Sequence, residues 1–470
     1  MNRLFAVPLA LIPFLAAAHD AAPGNGYRFD FGPGAPAPGY TQVTAATDYT
    51  EARGYGFEFG IPVTCVDRNP KDTLDGDLCF GSRPFYFSAR VPEGDYDVTI
   101  TFGDGGAAAA TALKAESRRL FMETARTAAG QFGKRTFTVN RRSGSVDASE
   151  SIALSATEKA YFDWDGKLTF EFTGDRPSVT AMEIIPATRP IRVFLAGNST
   201  VCDWENETET AWGQMIPRFF KPGVSVINLA KSGLTAGTFI AQNRLDKIAG
   251  LIGPGDYLFA EFAHNDMKDT SAGALETYQA NLKKLLDTAK ARGAVAVLVS
   301  PTARRSFDAQ GKAVNTFVAA AGDYLATMKK VAKAEKAPLI DLNAMSTRFI
   351  EALGPTESAQ AYFTNDNTHW NDYGAFELAR CVAEGIRADS LGLAAWLAQD
   401  AGTFDPAHPD PVGTWTLPLS PDTSLRGPSF IPKMREVGKW DLQSREGSSP
   451  GRGFWAGFFF TLTGRRSASR

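Results

Sequence analysis

The chain has 470 residues, of which 44% are hydrophobic and 21% are charged. This length is enough for two or three domains with sizeable cores, and the composition excludes a chain that is mainly disordered. The 49 basic and 52 acidic residues give a net charge of −3, so the chain lacks the strong positive charge that is typical of nucleic-acid-binding proteins.

Residues 1–18 have the pattern of a secretory signal peptide. One basic residue, Arg3, precedes an apolar run that ends in the small residues Ala16-Ala17-Ala18. The run is shorter than the ~20 residues that a membrane-spanning helix needs, and so is the apolar stretch 454–462. We therefore predict a protein that is exported to the periplasm or the extracellular space and has no membrane span.

Residues 24–187 are predicted to form an all-β sandwich. Short segments of alternating character, such as 27–31, 85–91 and 96–102, are rich in aromatic and β-branched residues, and turns of Gly, Pro and Asp separate them. Alternation places one face of each strand in a core shared by two sheets. An alanine-rich insertion, 107–129, interrupts this pattern and is predicted to be more helical.

The four cysteines fall into two pairs of different character. Cys65 and Cys79 lie fourteen positions apart in a Gly/Pro/Asp-rich segment, where an oxidising compartment would allow them to close a loop. The sequence leaves open whether they do. Cys202 and Cys381 belong to a different region, and we predict two buried free thiols there.

After a proline-rich linker, 186–190, the pattern changes to apolar runs that alternate with stretches of helical period. Such runs are typical of a parallel sheet that is covered by helices on both faces. The predicted strands are 193–196, 224–227, 257–260, 295–299 and 338–340, and the predicted helices are 240–252, 272–292, 315–334 and 345–353. We predict a five-stranded α/β domain over 191–400, with its ligand site at the carboxyl ends of the strands. The remainder, 401–470, is predicted to be a solvated or loosely packed, partly disordered Pro/Gly-rich tail.

Histidine positions narrow the search for a general base. The chain has four histidines and four cysteines, which argues against a zinc site. Two of the histidines, His264 and His369, fall at predicted strand or helix ends. Asp366 precedes His369 by three residues and can curl back to hold the ring in one tautomer. The alternative is that Asp366 only caps the following helix.

Three further candidates follow the first three predicted strands of the α/β domain. Ser199 comes after the first strand, Gly233 after the second and Asn265 after the third. Ser199 is a candidate nucleophile, and its N–H, the Gly233 N–H and the Asn265 amide are candidate donors to one oxyanion. The alternatives are a helix N-cap, a turn glycine and a loop asparagine. A Gly-x-Ser-x-Gly at 447–451 is set aside because no buried strand precedes it.

Four blocks of the sequence, taken as a set, resemble the SGNH hydrolase superfamily and, within it, the rhamnogalacturonan acetylesterases. The blocks are Gly197-Asn198-Ser199-Thr200, Gly233, the run 263–269 and Asp366-Asn367-Thr368-His369. The resemblance covers about 191–395. It implies a flavodoxin-like sheet and a serine esterase without metal or cofactor that removes acetyl groups from a pectic polysaccharide or oligosaccharide through an acyl-enzyme. It assigns Ser199 as nucleophile, Gly233 and Asn265 as oxyanion donors, Asp366 as the orienting residue and His369 as the base. The N-terminal sandwich resembles galactose-binding-like modules.

The chain departs from the superfamily pattern at two positions, and two readings of its function stay open. Asn198 stands where aspartate is usual and Ala263 where glycine is commoner, but neither supplies a reacting atom. Arg304 and Arg305 follow the fourth strand, where they would either pair with galacturonate carboxylates or form a solvated loop pair. The alternatives are an SGNH esterase for a lipid or another acylated sugar, such as xylan, and a carbohydrate-binding protein without activity. The oligomeric state is left open.

Overall fold

The computed structural model describes residues 26–69 and 74–421. The predicted signal peptide, the apolar stretch 454–462, the Gly-x-Ser-x-Gly at 447–451 and the part of the predicted tail from 422 lie outside these residues. All the described residues belong to one compact unit. Within them, no helix is both long and apolar enough to cross a membrane.

The N-terminal part is a β-sandwich, as predicted. Its strands are β1 (Tyr27–Phe31), β2 (Thr41–Val43), β3 (Tyr55–Phe57), β4 (Thr64–Asp67), β5 (Asp77–Phe80), β6 (Phe85–Arg90), β7 (Gly94–Asp104), β8 (Ala109–Ala115), β9 (Arg119–Thr127), β10 (Gln131–Arg141), β11 (Lys167–Thr173), β12 (Ser178–Val179) and β13 (Ala181–Pro186). They form sheets in the orders β10-β7-β13-β1-β2, β3-β6-β11-β8-β9 and β12-β5-β4. The pairs are antiparallel except for the parallel pair β1–β2.

Aromatic side chains fill the space between these sheets. Phe29 and Phe31 of β1 meet Phe87 of β6 in edge-to-face contacts at 5.0 and 4.9 Å between ring centroids. Alternation along each strand turns these rings inward, and such aromatic pairs favour edge-to-face or offset geometry. The disulfide Cys65–Cys79 joins β4 to β5 directly across the pair. The question that the sequence left open is thus answered in favour of the bridge.

The alanine-rich insertion 107–129 is a β-hairpin, so the prediction of a helical segment was wrong. Strands β8 and β9 pair antiparallel, and every residue of β8 is buried. Alanine has a high helix propensity, but tertiary burial overrides propensity of this size. The small side chains let β8 pack closely between β9 and β11.

The C-terminal part is an α/β domain. Its elements are β14 (Ile191–Gly197), α1 (Trp212–Met215), β15 (Val224–Asn228), α2 (Ala236–Ala241), α3 (Arg244–Leu251), β16 (Tyr257–Glu261), α4 (Ala274–Ala291), β17 (Val295–Val299), β18 (Val318–Ala319), β19 (Gly322–Asp323), α5 (Tyr324–Ala334), β20 (Leu339–Ile340), α6 (Leu342–Glu357) and α7 (Asp372–Ala388). Short 3-10 helices occupy Ile216–Phe219, Asp266–Lys268, Ser358–Ala361, Gly392–Trp396 and Gln399–Ala401 here, and Glu158–Ala160 and Phe162–Trp164 in the β-sandwich part. The sheet order β15-β14-β16-β17-β20 is that of flavodoxin-like folds, and its pairs are all parallel.

Helix boundaries differ from the prediction at three places. Asn243, with a φ of 59°, separates α2 from α3, where one helix was predicted over 240–252. The hairpin β18–β19 precedes α5, so the predicted helix 315–334 is helical only in its second half. Helix α6 begins earlier than predicted because the Asp341 carboxylate accepts a hydrogen bond from Ala344 N–H and caps it.

The segment that follows Thr403 packs onto the folded protein as far as the structure describes it. Phe404 is buried, Trp415 stacks on Phe376 of α7 at 4.1 Å, and the Ser420 hydroxyl lies 2.7 Å from Lys114 Nζ of β8. Parts of 404–421 therefore pack against the two domains, although the segment forms no helix or strand and many of its residues are exposed. Cys202 and Cys381 are buried free thiols, as predicted.

Candidate active site

The sheet order brings the predicted site residues to one edge. Strand β14 lies between β15 and β16, so the loops after these three strands leave the same edge side by side. Ser199 lies in the loop after β14, Gly233 in the loop after β15 and Asn265 in the loop after β16. His369 lies just before α7 and reaches the same edge.

Ser199, His369 and Asp366 form a continuous hydrogen-bonded chain. Ser199 Oγ lies 3.0 Å from His369 Nε2, and His369 Nδ1 lies 2.8 Å from Asp366 Oδ2. With Nδ1 donating to the carboxylate, Nε2 is free to accept the proton of the serine hydroxyl. This is the geometry of a nucleophile, a base and an orienting carboxylate.

A tight turn holds Asp366 in place. Its Oδ1 accepts hydrogen bonds from the backbone N–H groups of Thr368 at 2.6 Å and His369 at 3.0 Å. Burial raises the pKa of Asp366, but the hydrogen bonds from the backbone and ring of His369 and from Thr368 outweigh it and keep the pKa below its usual value. The cap of α7 is Asn371, whose side chain accepts from Gly374 N–H. The helix-cap reading of Asp366 is therefore excluded.

Ser199 does not cap a helix either. A turn follows β14, in which the Asn198 carbonyl accepts from Val201 N–H at 3.1 Å and Cys202 N–H at 2.9 Å, and the next helix, α1, begins only at Trp212. The Asn198 side-chain oxygen accepts from Thr200 N–H and from its hydroxyl. An amide oxygen thus fills the accepting position that a carboxylate would fill, so the turn does not require aspartate.

The loops after β15 and β16 hold the candidate oxyanion donors next to each other. Gly233 is exposed with a φ of +85°, a conformation that favours glycine. Asn265 Nδ2 donates to the carbonyl of Leu234 at 3.1 Å, and its Oδ1 accepts from Lys268 Nζ at 2.8 Å. One N–H of the Asn265 amide therefore ties the two loops together, and the second remains for a ligand.

Two residues that sequence reasoning missed also lie beside Ser199 and His369. Trp204 donates its indole N–H to the Ser199 carbonyl at 2.9 Å, and its ring lies edge-on to His369 at 5.8 Å. Glu209 Oε1 lies 3.7 Å from His369 Nδ1, and burial raises the pKa of Glu209. Both lie in the loop between β14 and α1, several residues beyond the end of the strand.

His264, the other candidate base, is part of the core. Its Nε2 bonds the Thr302 carbonyl at 3.1 Å, and its ring packs edge-on against Phe317 at 4.9 Å. Burial lowers the pKa of His264 well below its usual value, so the ring is neutral. Of the two histidines that the sequence offered, only His369 reaches Ser199.

Glu261, the last residue of β16, lies buried beneath the Ser199 loop. Its carboxyl accepts from Thr200 Oγ1 at 2.6 Å and from Trp212 Nε1 at 2.6 Å. Burial raises its pKa to about 7, against a smaller opposite effect of these hydrogen bonds. The carboxyl anchors the loop after β14 to the sheet.

Arg304 and Arg305 are not a solvated pair. The Arg304 guanidinium donates to the carbonyls of His264 and Thr316 and lies over Phe317, and the Arg305 guanidinium donates to the Ser358 hydroxyl and the Pro355 carbonyl. Among the residues that the structure describes, no group of three or more His, Cys, Asp or Glu side chains is placed to hold a metal ion.

Comparison with known proteins defines the class. Residues 195–375 match the GDSL-like lipase/acylhydrolase family, and residues 27–133 match the β-agarase/YXIM esterase-like, galactose-binding domain-like family. The chain belongs to the GDSL-like lipase/acylhydrolase family and is a carboxylic ester hydrolase of the SGNH type, with a galactose-binding-like β domain before the catalytic domain.

Individual relatives extend the comparison. Rhamnogalacturonan acetylesterase RhgT of Bacillus subtilis (strain 168) is 39% identical over 220 residues, which are 44% of this chain and 92% of RhgT. The uncharacterized esterase YxiM of the same organism is 28% identical over 382 residues, 79% of this chain and 93% of YxiM. The crystal structure of YxiM superposes with a TM-score of 0.42 at 24% identity and covers 78% of this chain and 99% of that structure.

Proposed function

We propose that this esterase removes acetyl groups from an acetylated plant cell-wall polysaccharide, with rhamnogalacturonan as the favoured substrate. The observation that carries the proposal is the hydrogen-bonded chain from Ser199 through His369 to Asp366. The identity to RhgT, a rhamnogalacturonan acetylesterase, over nearly all of that protein's length supports the substrate. Other acylated sugars, including acetylated xylan, remain the competing substrates.

In the proposed mechanism, His369 Nε2 takes the proton of the Ser199 hydroxyl while the oxygen attacks the acetyl carbonyl. The Asp366 carboxylate stabilises the imidazolium that forms. Ser199 N–H, Gly233 N–H and the Asn265 amide stabilise the negative oxygen of the tetrahedral intermediate. The C–O bond to the sugar breaks, and the imidazolium protonates the leaving sugar oxygen, which becomes a free hydroxyl. His369 then takes a proton from water, whose oxygen attacks the acyl carbonyl. The bond between the acyl carbon and Ser199 Oγ breaks, the imidazolium returns its proton to Oγ, and acetic acid leaves and ionises to acetate.

Domain limits and location follow as parts of the same proposal. We place a galactose-binding-like module at 24–187 and the esterase domain at 191–400, after a signal peptide at 1–18. The Cys65–Cys79 disulfide supports export, because disulfides persist in oxidising compartments such as the periplasm and the extracellular space.

The test compares the full-length protein with three variants on p-nitrophenyl acetate and by acetate release from acetylated rhamnogalacturonan and acetylated xylan. We expect Ser199→Ala to lose activity by about 10⁴-fold or more, because no other group replaces the nucleophile. Asn265→Ala is expected to lose about 10²–10³-fold, which is typical for one oxyanion donor.

Ser149→Ala, at an exposed serine of the β-sandwich domain, is the matched control and is expected to match the wild type. Wild-type turnover of p-nitrophenyl acetate by Ser199→Ala would contradict the assigned nucleophile. Faster acetate release from xylan than from rhamnogalacturonan would contradict the substrate while leaving the esterase mechanism intact.

A further inference from the structure

A cleft of about 330 Å³ lies between the two domains, close to the reactive serine. The segment 155–164 of the β-sandwich domain lines one side of it, with Thr157 and Tyr161. Two loops of the α/β domain line the other side, with Trp204 and Lys231. The volume is at the lower end of the ~300–1,000 Å³ of small-molecule sites, so it suits a small saccharide unit.

The cleft adjoins the catalytic groups on two sides. Trp204, which lines it, donates to the Ser199 carbonyl at 2.9 Å and contacts the His369 ring. Lys231 and Ser232, which also line it, directly precede Gly233, a proposed oxyanion donor. A saccharide whose acetyl group lies on Ser199 therefore has a neighbouring sugar residue within reach of the cleft.

The charged groups of the cleft neutralise one another. Arg142 forms ion pairs with Asp163 and Asp203, both at 3.1 Å, and Lys231 Nζ forms one with Glu158 at 2.9 Å. Arg119 and Arg244, which do not line the cleft, pair with the same carboxylates. Both cations of the lining are therefore already held in ion pairs and are not free to pair with the carboxylate of an acidic sugar. This electrostatic balance favours an uncharged ligand.

The remaining lining has the chemistry that a neutral sugar requires. Tyr161 and Trp204 are half-buried and offer aromatic surface on which the C–H face of a pyranose ring packs. Ser155, Thr157 and Ser232 bring hydroxyl groups that match the donors and acceptors of a sugar.

We propose that this interdomain cleft is a substrate subsite, which binds an uncharged sugar residue next to the acetylated one. The inference rests on the proposed acetylesterase function and deepens it, because it makes the β-sandwich domain a direct contributor to substrate binding. Small esters that lack a sugar do not reach the subsite, so their hydrolysis is independent of it.

The test uses a variant that fills the cleft and leaves Ser199, His369 and Asp366 unchanged. Thr157 is exposed and lines the cleft, so Thr157→Trp adds bulk there with little effect on folding. For the full-length protein we expect kcat/KM on acetylated rhamnogalacturonan oligosaccharides to fall at least about 10-fold, mainly through KM, relative to kcat/KM on p-nitrophenyl acetate. Thr41→Trp, at an exposed position of strand β2, is the matched control and should keep the wild-type ratio.

A second pair of variants separates stacking from hydrogen bonding. Tyr161→Ala should raise the KM for the oligosaccharide. Tyr161→Phe should have a KM close to that of the wild type, because the ring rather than the hydroxyl makes the packing contact. If Thr157→Trp lowers kcat/KM equally on the oligosaccharides and on p-nitrophenyl acetate, or on neither of them, the cleft is not a substrate subsite. Salt screens attraction between charges. If salt raises the oligosaccharide KM of the wild type but not that of Thr157→Trp, the sugar residue bound in the cleft is charged, and the proposal of an uncharged ligand is wrong. A wild-type protein inactive on p-nitrophenyl acetate would instead refute the esterase proposal.

Discussion

Ala263 occupies a backbone conformation that favours glycine. Its φ is 141°, and its side chain is fully buried in the turn between β16 and Asn265. A residue with a Cβ in such a region stores strain of about 1–3 kcal/mol. This explains why glycine is the commoner residue at this position in the superfamily that the sequence resembles.

We therefore expect Ala263→Gly to leave the stability unchanged or to raise it. The loss of a buried methyl group, about 0.8 kcal/mol, and the added freedom of glycine in the unfolded chain are offset by the release of strain. Ala260→Gly is the matched control. Ala260 is also buried and lies within strand β16, where no strain is released. The loss of its methyl group should lower the free energy of unfolding by about 1–2 kcal/mol.

Urea unfolding of the two variants measures the difference. A free energy of unfolding that falls as much for Ala263→Gly as for Ala260→Gly would show that the native structure does not strain Ala263.

The candidate site residues differ in how far the sequence could predict their positions. Ser199, Gly233 and Asn265 each follow a recognisable buried strand, so the rule that ligands bind at the carboxyl ends of parallel strands was enough to single them out. Trp204 and Glu209 lie within a long loop that no local pattern marks. Their proximity to His369 depends on the path of that loop, which contacts from the other domain determine.

The hairpin β8–β9 is the element that fixes this loop. Arg118, in its tight turn, donates to the backbone carbonyls of Asn206 at 2.9 Å and Glu209 at 2.8 Å, and to the Asp372 carboxylate at 3.0 Å. It also pairs with Glu207 at 2.7 Å. One buried guanidinium of the β-sandwich domain thus holds both the loop with Trp204 and the start of α7, which follows His369.

Replacing the Arg118 guanidinium by the ammonium group of lysine tests the role of the hairpin. Arg118→Lys keeps the charge but cannot satisfy several carbonyls and a carboxylate together. We expect a lower melting temperature and a kcat on p-nitrophenyl acetate reduced about 10-fold with KM nearly unchanged, because the groups around His369 lose their support.

Arg126→Lys, at an exposed arginine of the same hairpin, is the control and should behave as the wild type. An Arg118→Lys variant with the melting temperature and kcat of the wild type would mean that the hairpin only packs against the esterase domain.

The same hairpin shows a limit of sequence reasoning at the scale of elements. Its alanines favour a helix when their propensity is considered alone, and the short turn 116–118 contains neither of the usual hairpin dipeptides. The strand conformation is stabilised by burial between β9, β11 and the other domain, which the local sequence does not encode.

Across the whole chain, the five parallel strands were predictable because each contains a short, mainly apolar run. The association of the two domains could not be predicted from the sequence. It depends on buried charges far apart in the chain, such as Arg119, which pairs with Asp163 at 2.6 Å and with Asp203 at 3.1 Å. Such pairs are visible only when the segments that meet are known.

The proposed esterase activity requires an activated serine at position 199. A fluorophosphonate reacts with a serine hydroxyl only when a base withdraws its proton, so mass spectrometry of the labelled full-length protein tests directly whether Ser199 is activated. We predict one covalent adduct, on the peptide that contains Ser199, and its loss in His369→Ala. An esterase-active protein that carries the adduct on another residue, or that remains fully labelled in His369→Ala, would contradict it.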